Sequence, residues 1–302
     1  MSIVVNNLNK FYGKWQALKN INFSINKGDI LGFLGPNGAG KTTTMKIITT
    51  LLKPSSGQIL INGIDICKEP TKVVPYIGYL PENNPLYTDF YVIEALDFIA
   101  KIRRCNIKSS TIKDMLERTG LSDVKNKKVK TLSKGYKQRL GIAQAIIHNP
   151  EILILDEPAN GLDPIQIIEI RKLIKGIAAN KAVLISTHIM QEVEAVCNKI
   201  MVLKNGEIVA KEVINKTEIT NLNTFKIEFN KSVNSSDIRA FINPKYLQHI
   251  EQINNSTLLI QAQKDIRANL MDFAINKDLV ILHLSLENKY KSLEEVFTKL
   301  SK

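Results

Sequence analysis

Eight consecutive residues, Gly35-Pro36-Asn37-Gly38-Ala39-Gly40-Lys41-Thr42, have the types and spacing needed to hold a polyphosphate. They fit G-x-x-x-x-G-K-[ST] in full. Glycines let backbone N–H groups turn inward around phosphate oxygens, where a side chain would collide. A helix beginning near Lys41 points its unpaired N–H groups and the positive end of its dipole at the same anion. Lys41 is placed to reach the β- and γ-phosphates and the Thr42 hydroxyl to ligate Mg²⁺, with Thr43 closing the binding run. A second element supplies complementary chemistry. The apolar run Ile152-Leu153-Ile154-Leu155 ends in Asp156 and Glu157. Alone it says little, because buried strands often meet solvent at an acid. Downstream of a phosphate loop, Asp156 reads as a holder of the Mg²⁺ shell, and Glu157 as the group that orients or deprotonates an attacking water.

These residues need elements to position them. Ile30–Leu34 reads as a buried strand running into the glycine-rich turn, and residues 3–11 and 17–25 as short strands separated by a turn at Gly13. Residues 91–146 lack strand patterning and read as helical, with amphipathic spacing at Ile93, Leu96, Ile99 and Ala100. Apolar runs at 152–155, 182–185 and 200–203 then alternate with a helix near 165–178 and a shorter one. That alternation predicts an α/β fold with a mainly parallel sheet covered on both faces, interrupted by a helical insertion. Residues 213–223 are polar and read as a linker. From 224 onward the order is strand (225–229), helix (236–242), strands (248–253 and 257–262), helix (266–275) and strand (279–285). This order predicts a small ferredoxin-like α+β sandwich, closed by a last helix from Ser292 to Leu300. It carries no catalytic constellation and reads as a regulatory or dimerising appendage.

Leu132-Ser133-Lys134-Gly135-Tyr136-Lys137-Gln138-Arg139, between the phosphate loop and the carboxylates, resembles the LSGGQ signature of ABC ATPases. Other elements of that family follow in order. Tyr12 resembles the aromatic that stacks on adenine, Gly161-Leu162-Asp163 the D-loop, and Ser186-Thr187-His188 the strand end whose switch histidine contacts the γ-phosphate. The resemblance covers residues 1 to about 212 and implies a P-loop ABC cassette with N-terminal antiparallel strands and a helical subdomain at about 88–146. With the pattern read from 224 onward, the chain divides into domains at 1–212 and 224–302 joined by the linker at 213–223. The implied catalytic residues are Glu157, His188 and Lys41. ATP would be bound by Tyr12, Gly35, Pro36, Asn37, Gly38, Ala39, Gly40, Lys41, Thr42, Thr43, Ser133 and Gly135, and Mg²⁺ by Thr42, Asp156 and Glu82. Taken singly, Tyr12 is a surface aromatic, Ser133 a helix N-cap and His188 a strand-end histidine. Their shared order lifts them above that. His148, His249 and His283 keep the plain structural reading.

Two departures stand out. Lys134 and Tyr136 replace a glycine and a glutamine of the signature, while Ser133 and Gly135 are retained. Glu82, in Ile77-Gly78-Tyr79-Leu80-Pro81-Glu82, stands where the family's Q-loop has glutamine; a glutamate can still ligate Mg²⁺ but adds negative charge near the γ-phosphate. The stretch from Tyr76 to Tyr91 and the ending Ser292–Phe297 are similar to ATP-binding subunits of drug-export type, nearest the gliding-motility-associated branch.

One phosphate loop and one signature per chain imply a head-to-tail dimer around two Mg·ATP, since in this family one cassette's signature closes over the other's nucleotide. The family also implies a separate transmembrane permease and a peripheral location at the cytoplasmic face of the membrane. No apolar stretch of this chain approaches the roughly 20 residues that span a bilayer. The first residues lack the pattern of a signal peptide. Three scattered cysteines, Cys67, Cys105 and Cys197, suit a reducing compartment and read as small buried apolar residues. The net charge of +12 concentrates between Lys101 and Arg139, where thirteen basic residues face three acids. Such a patch suits anionic lipid, an acidic partner or nucleic acid, or is a solvated surface. It keeps open an alternative, a soluble ABC ATPase acting on nucleic acid or ribosomes, but without interleaved aromatics no nucleic-acid partner is expected. A third reading, an ATP-binding regulator without turnover, is opposed by the intact Lys41, Asp156, Glu157 and His188.

Overall fold

The structure, a computed structural model, describes residues 1–104, 109–213 and 223–287. Cys105, Lys108, the stretch 214–222 of the expected linker and the expected helix from Ser292 to Leu300 lie outside the described residues. The chain divides into two compact units, Met1–Ile214 and Asn215–Lys302.

The first unit opens with β1 (Ile3–Tyr12) and β2 (Trp15–Ile25), followed by β3 (Ile30–Leu34), α1 (Lys41–Ile48), β4 (Ser56–Ile61) and β5 (Ile64–Asp65). β1 pairs antiparallel with β2 and with β4, giving a four-stranded sheet of order β2-β1-β4-β5. Its inward residues, Ile3, Val5, Leu8, Ile21 and Ile25, are fully buried. β2 begins at Trp15, two residues earlier than the sequence pattern predicts. The β1–β2 turn therefore shrinks to Gly13-Lys14, with Gly13 at φ 58 in its first position, as a two-residue hairpin requires.

The chain continues through α2 (Pro70–Val73), β6 (Ile77–Leu80), α3 (Val92–Ile102), α4 (Ser109–Arg118), α5 (Lys134–Ile146), β7 (Ile152–Asp156), α6 (Pro164–Ala178), β8 (Ala182–Thr187), α7 (Met190–Val196), β9 (Lys199–Lys204) and β10 (Glu207–Val213). These complete a six-stranded sheet of order β10-β9-β3-β8-β7-β6. Every pairing in it is parallel except β9 with β10. β7 and β8 are buried along their whole length, as strands covered on both faces must be. The expected helical insertion is present as α3, α4 and α5. Local chemistry sets the helix starts. Ser133 accepts the Tyr136 N–H to cap α5, and Asp163 accepts the Gln166 N–H at 2.9 Å to cap α6, with Pro164 in the first turn.

The register aligns the strands' carboxyl ends. Leu34 pairs with Thr187, Asp156 with Ser186, and Leu80 with Leu155. The residues that follow β3, β6, β7 and β8 therefore emerge along one edge of the sheet. In addition, β3 lies between β8 and β9, a reversal of strand order where open α/β sheets bind ligands.

The second unit contains β11 (Asn223–Phe229), α8 (Ser235–Phe241), β12 (Leu247–Gln252), β13 (Thr257–Ala262), α9 (Arg267–Asn276) and β14 (Ile281–Glu287). Its sheet is antiparallel throughout, with order β12-β13-β11-β14. Phe225, Ile227 and Phe229 of β11 pack with Ile260 of β13, Ile238 of α8, and Leu270 and Phe273 of α9 in a core of its own.

Candidate functional site

The glycine-rich loop follows β3 directly. Gly40 has φ 105, and a Cβ there would sit 2.6 Å from a Leu18 methyl and 3.1 Å from the Ala17 carbonyl oxygen. Only glycine lets β2 pass this close behind the loop. Lys41 is 6% exposed, and its Nζ donates to the Gly35 and Pro36 carbonyls at 2.7 and 3.2 Å. The ammonium is thereby folded back over the loop.

One residue past β7, Glu157 brings its carboxylate to this lysine, with Oε1 3.4 Å from Lys41 Nζ as an ion pair. Its other oxygen, Oε2, lies 2.9 Å from Nδ1 of His188, which follows β8. A carboxylate only accepts, so Nδ1 carries the proton and donates. Glu157 itself sits at φ 48, a left-handed conformation unusual for this residue. Its N–H is held there by the Ser186 hydroxyl at 2.9 Å. Lys41, Glu157 and His188, drawn from three separated segments, thus form one chain of contacts.

Asp156 is fully buried. Its Oδ1 accepts from Thr42 Oγ1 at 3.1 Å and from Ser186 Oγ at 2.5 Å, while Oδ2 has no partner among the described residues. Burial pushes its carboxyl above the ordinary range; the two hydroxyls oppose that rise, and the charges of Glu82 and Glu157 add to it. A buried, half-satisfied carboxylate beside a hydroxyl is a hard-oxygen donor set, which fits Mg²⁺. Glu82, two residues past β6, borders the same space and meets Asn160 Nδ2 at 3.5 Å. A cavity of about 230 Å³ is lined by Trp15, the loop from Asn37 to Thr43, Glu82 and Glu157.

Comparison with known proteins agrees with this edge. Residues 18–160 match the ABC transporter family. The Bacillus subtilis (strain 168) ABC transporter ATP-binding protein YcbN is 37% identical over 306 residues, covering 99% of this chain and 96% of that protein. The chain belongs to the ABC transporter ATP-binding proteins. It is accordingly an ATPase, and ABC cassettes of this kind bind ATP and ADP. The cassette is also 34% identical over 300 residues to the bacitracin transport ATP-binding protein BcrA of Bacillus licheniformis, covering 99% of this chain and 96% of that one. Among solved structures, it resembles an ATP-binding cassette determined as a dimer in a post-hydrolysis state with ADP and phosphate. There the TM-score is 0.65 at 28% identity, over 70% of this chain and 99% of the other.

Two features of this ABC cassette were not legible in its motifs. The tight β1–β2 turn sets Trp15 directly across from Tyr12, with rings stacked at 5.9 Å and 21°. Both are exposed, and Trp15, rather than Tyr12, lines the cavity at the phosphate loop. The only available signal was the spacing of two aromatics around Gly13. The second feature concerns the signature segment. Ser133 caps α5, and Gly135 faces α6, where a Cβ would meet the Gln166 side chain at 2.7 Å. Lys134 lies over Gly161 within the same chain, close enough that a Cβ on that glycine would collide with its ammonium. Of the basic residues between 101 and 139, Lys101 pairs with Asp97, Arg118 with Asp114, Lys130 with Asp89, and Arg139 with Glu169. Part of the charge is thus neutralised by acids, two of which, Asp97 and Asp114, are on the same helices.

Proposed function

We propose that this ATPase is the motor of an ABC exporter and works as a head-to-tail pair of cassettes beneath a separate transmembrane permease. The contact chain Lys41–Glu157–His188 beside the half-satisfied Asp156 is the observation that carries the chemistry. Lys41 and the loop N–H groups between Asn37 and Thr43 bind the β- and γ-phosphates, releasing Lys41 from Glu157. Freed from its lysine, Glu157 orients a water and accepts its proton as that water attacks the γ-phosphate. His188 bridges the carboxylate and the γ-phosphate with both ring nitrogens protonated, Nδ1–H donating to Glu157 and Nε2–H to a γ-phosphate oxygen. Thr42, Asp156 and Glu82 are the residues that would hold Mg²⁺, whose chemistry is to neutralise charge on the β- and γ-oxygens. Trp15 and Tyr12 offer the adenine a stacking platform. The partner chain's signature, equivalent to Ser133 and Gly135, completes each site. Catalysis is then mainly positioning and charge stabilisation.

Within this reading the cassette, expected to be 1–212, runs through β10 to Val213. The accessory domain, expected from 224, begins with β11 at Asn223, so the proposed linker is one residue shorter at each end than the expected 213–223. The β11–α8–β12–β13–α9–β14 order and the β12-β13-β11-β14 sheet support a ferredoxin-like arrangement for the accessory domain. No helix among the described residues is long and apolar enough to cross a membrane, in keeping with a peripheral subunit that needs a permease. A relative named for bacitracin transport supports the transport role, and the stretch from Tyr76 to Tyr91, similar to the drug-export or gliding-motility type, supports export. Pull-down of the tagged chain from detergent-solubilised native membranes tests the assignment. Recovery of a polytopic membrane protein in stable ratio is the expected result. Recovery of ribosomes or nucleic acid, with the chain absent from membranes, would overturn it.

A further inference from the structure

The turn that carries His188 is held by two buried side chains that the chemistry above does not use. Thr187 is the last residue of β8, and its hydroxyl donates to Glu192 Oε2 of α7 at 2.6 Å. Thr187 Oγ1 in turn accepts the Ile189 N–H at 3.1 Å. Thr187 and Glu192 are 0% and 7% exposed, whereas the His188 side chain between these anchored positions is 41% exposed. At the start of α7, Ile189 supplies no side-chain cap. The Thr187 hydroxyl therefore ties the backbone just where strand becomes helix, and Glu192 fixes the direction of that hydroxyl.

A carboxyl at this depth is an expensive way to fill space. Burial raises its proton affinity, and the Thr187 hydrogen bond and the nearby charge of Arg171 offset that only in part. An apolar residue would serve packing alone better. A geometric role explains the choice: an anchored turn holds the imidazole in the line that places Nδ1 2.9 Å from Glu157. Exposed side chains sample several rotamers, so a fixed backbone on both sides adds to the Glu157 hydrogen bond in limiting His188.

We propose that Glu192, acting through Thr187, is a positioning residue for His188, setting the direction from which the imidazole meets Glu157 and the γ-phosphate. This rests on the role of His188 given above. An interaction that matters only when the reacting groups are aligned lowers kcat and kcat/KM together and leaves KM nearly unchanged.

The test compares steady-state ATPase activity of the full chain with Glu192→Ala, Thr187→Val, Thr187→Ser, His188→Ala and the Thr187→Val/His188→Ala double variant. Thr187→Val keeps the shape of the side chain and carries the test should Glu192→Ala fail to fold. ATP titration followed by Trp15 fluorescence verifies that nucleotide binding survives. Thr187→Val and Glu192→Ala are expected to lower kcat on the order of 10- to 100-fold, the size of effect a small misplacement produces. Thr187→Ser, which keeps the hydroxyl, should restore most of the rate. On the His188→Ala background, Thr187→Val should add no further loss, because nothing remains to be positioned. A wild-type rate for Thr187→Val while His188→Ala is impaired would overturn the clamp alone. So would an undiminished loss on the His188→Ala background, which would mark Thr187 as merely structural. A wild-type rate for His188→Ala would overturn the role of the histidine and the clamp with it.

Discussion

Asp156 shows what the proposed cation site costs the fold. Its carboxyl is raised by burial, so the folded chain holds that proton more tightly than the unfolded chain does. A raised carboxyl makes stability fall as pH climbs from the ordinary carboxylate range through the shifted one. Asp156→Asn removes the buried charge, and should raise the nucleotide-free Tm on the order of 2–5 °C while abolishing Mg²⁺-dependent hydrolysis. Differential scanning fluorimetry beside an ATPase assay checks both; a lower Tm would mean the carboxylate is needed structurally. Trp15 is the only tryptophan in the chain. Its fluorescence should change on ATP addition, and Trp15→Ala should weaken ATP binding about 10-fold with kcat nearly unchanged, as loss of a stacking face does. An unchanged KM would remove Trp15 from the base site. The phosphate loop and the paired acids were legible in the sequence because their geometry is local, set by covalent spacing. Trp15 was not, because its place depends on where β2 begins.

At the scale of elements, parallel register brings distant residues to one edge, and the sequence pattern already predicted the strands that matter most, β3, β7, β8 and β9. It passed over β6 and β4. β6 contains Gly78, which reads as a breaker; in the fold, a Cβ there would lie 2.2 Å from the Ala145 carbonyl oxygen of α5. That glycine admits a helix backbone onto the strand. β4 begins Ser56-Gly57-Gln58 and shows apolar character only at Ile59, Leu60 and Ile61. The same α5–β6 junction is pinned by His148, whose Nε2 lies 3.1 Å from the Ile77 carbonyl and therefore carries the proton. Burial, reinforced by the Arg103 charge, pushes this imidazole down to about 4. A histidine with a depressed folded value binds its proton more readily when unfolded, so it weakens the fold as pH falls from about 6.5 toward 4. That window is worth at most about 3 kcal/mol. His148→Gln should flatten the pH dependence of urea stability there; an unchanged profile would assign acid sensitivity to other groups.

At the scale of the whole molecule, one chain supplies one phosphate loop and one signature, and the proposed mechanism calls for two of each. The fold of the first unit follows from alternating apolar runs and helices. The second unit's strand order was legible for the same reason, although its role was not, because it presents no chemistry-bearing cluster to read. The charge between Lys101 and Arg139 is the converse case. It is conspicuous in composition, but ion pairs with acids such as Asp89 and Glu169 diminish it in space. The central claim is that ATP draws two cassettes together and that Glu157 ends that state by hydrolysis. The direct measurement is light scattering of Glu157→Gln with Mg²⁺ and saturating ATP. The account predicts a stable species of twice the 34.0 kDa chain mass, absent with ADP, with hydrolysis reduced about 10²- to 10⁴-fold. A species that stays at the mass of one chain, or a variant that still turns over ATP at the wild-type rate, would contradict it.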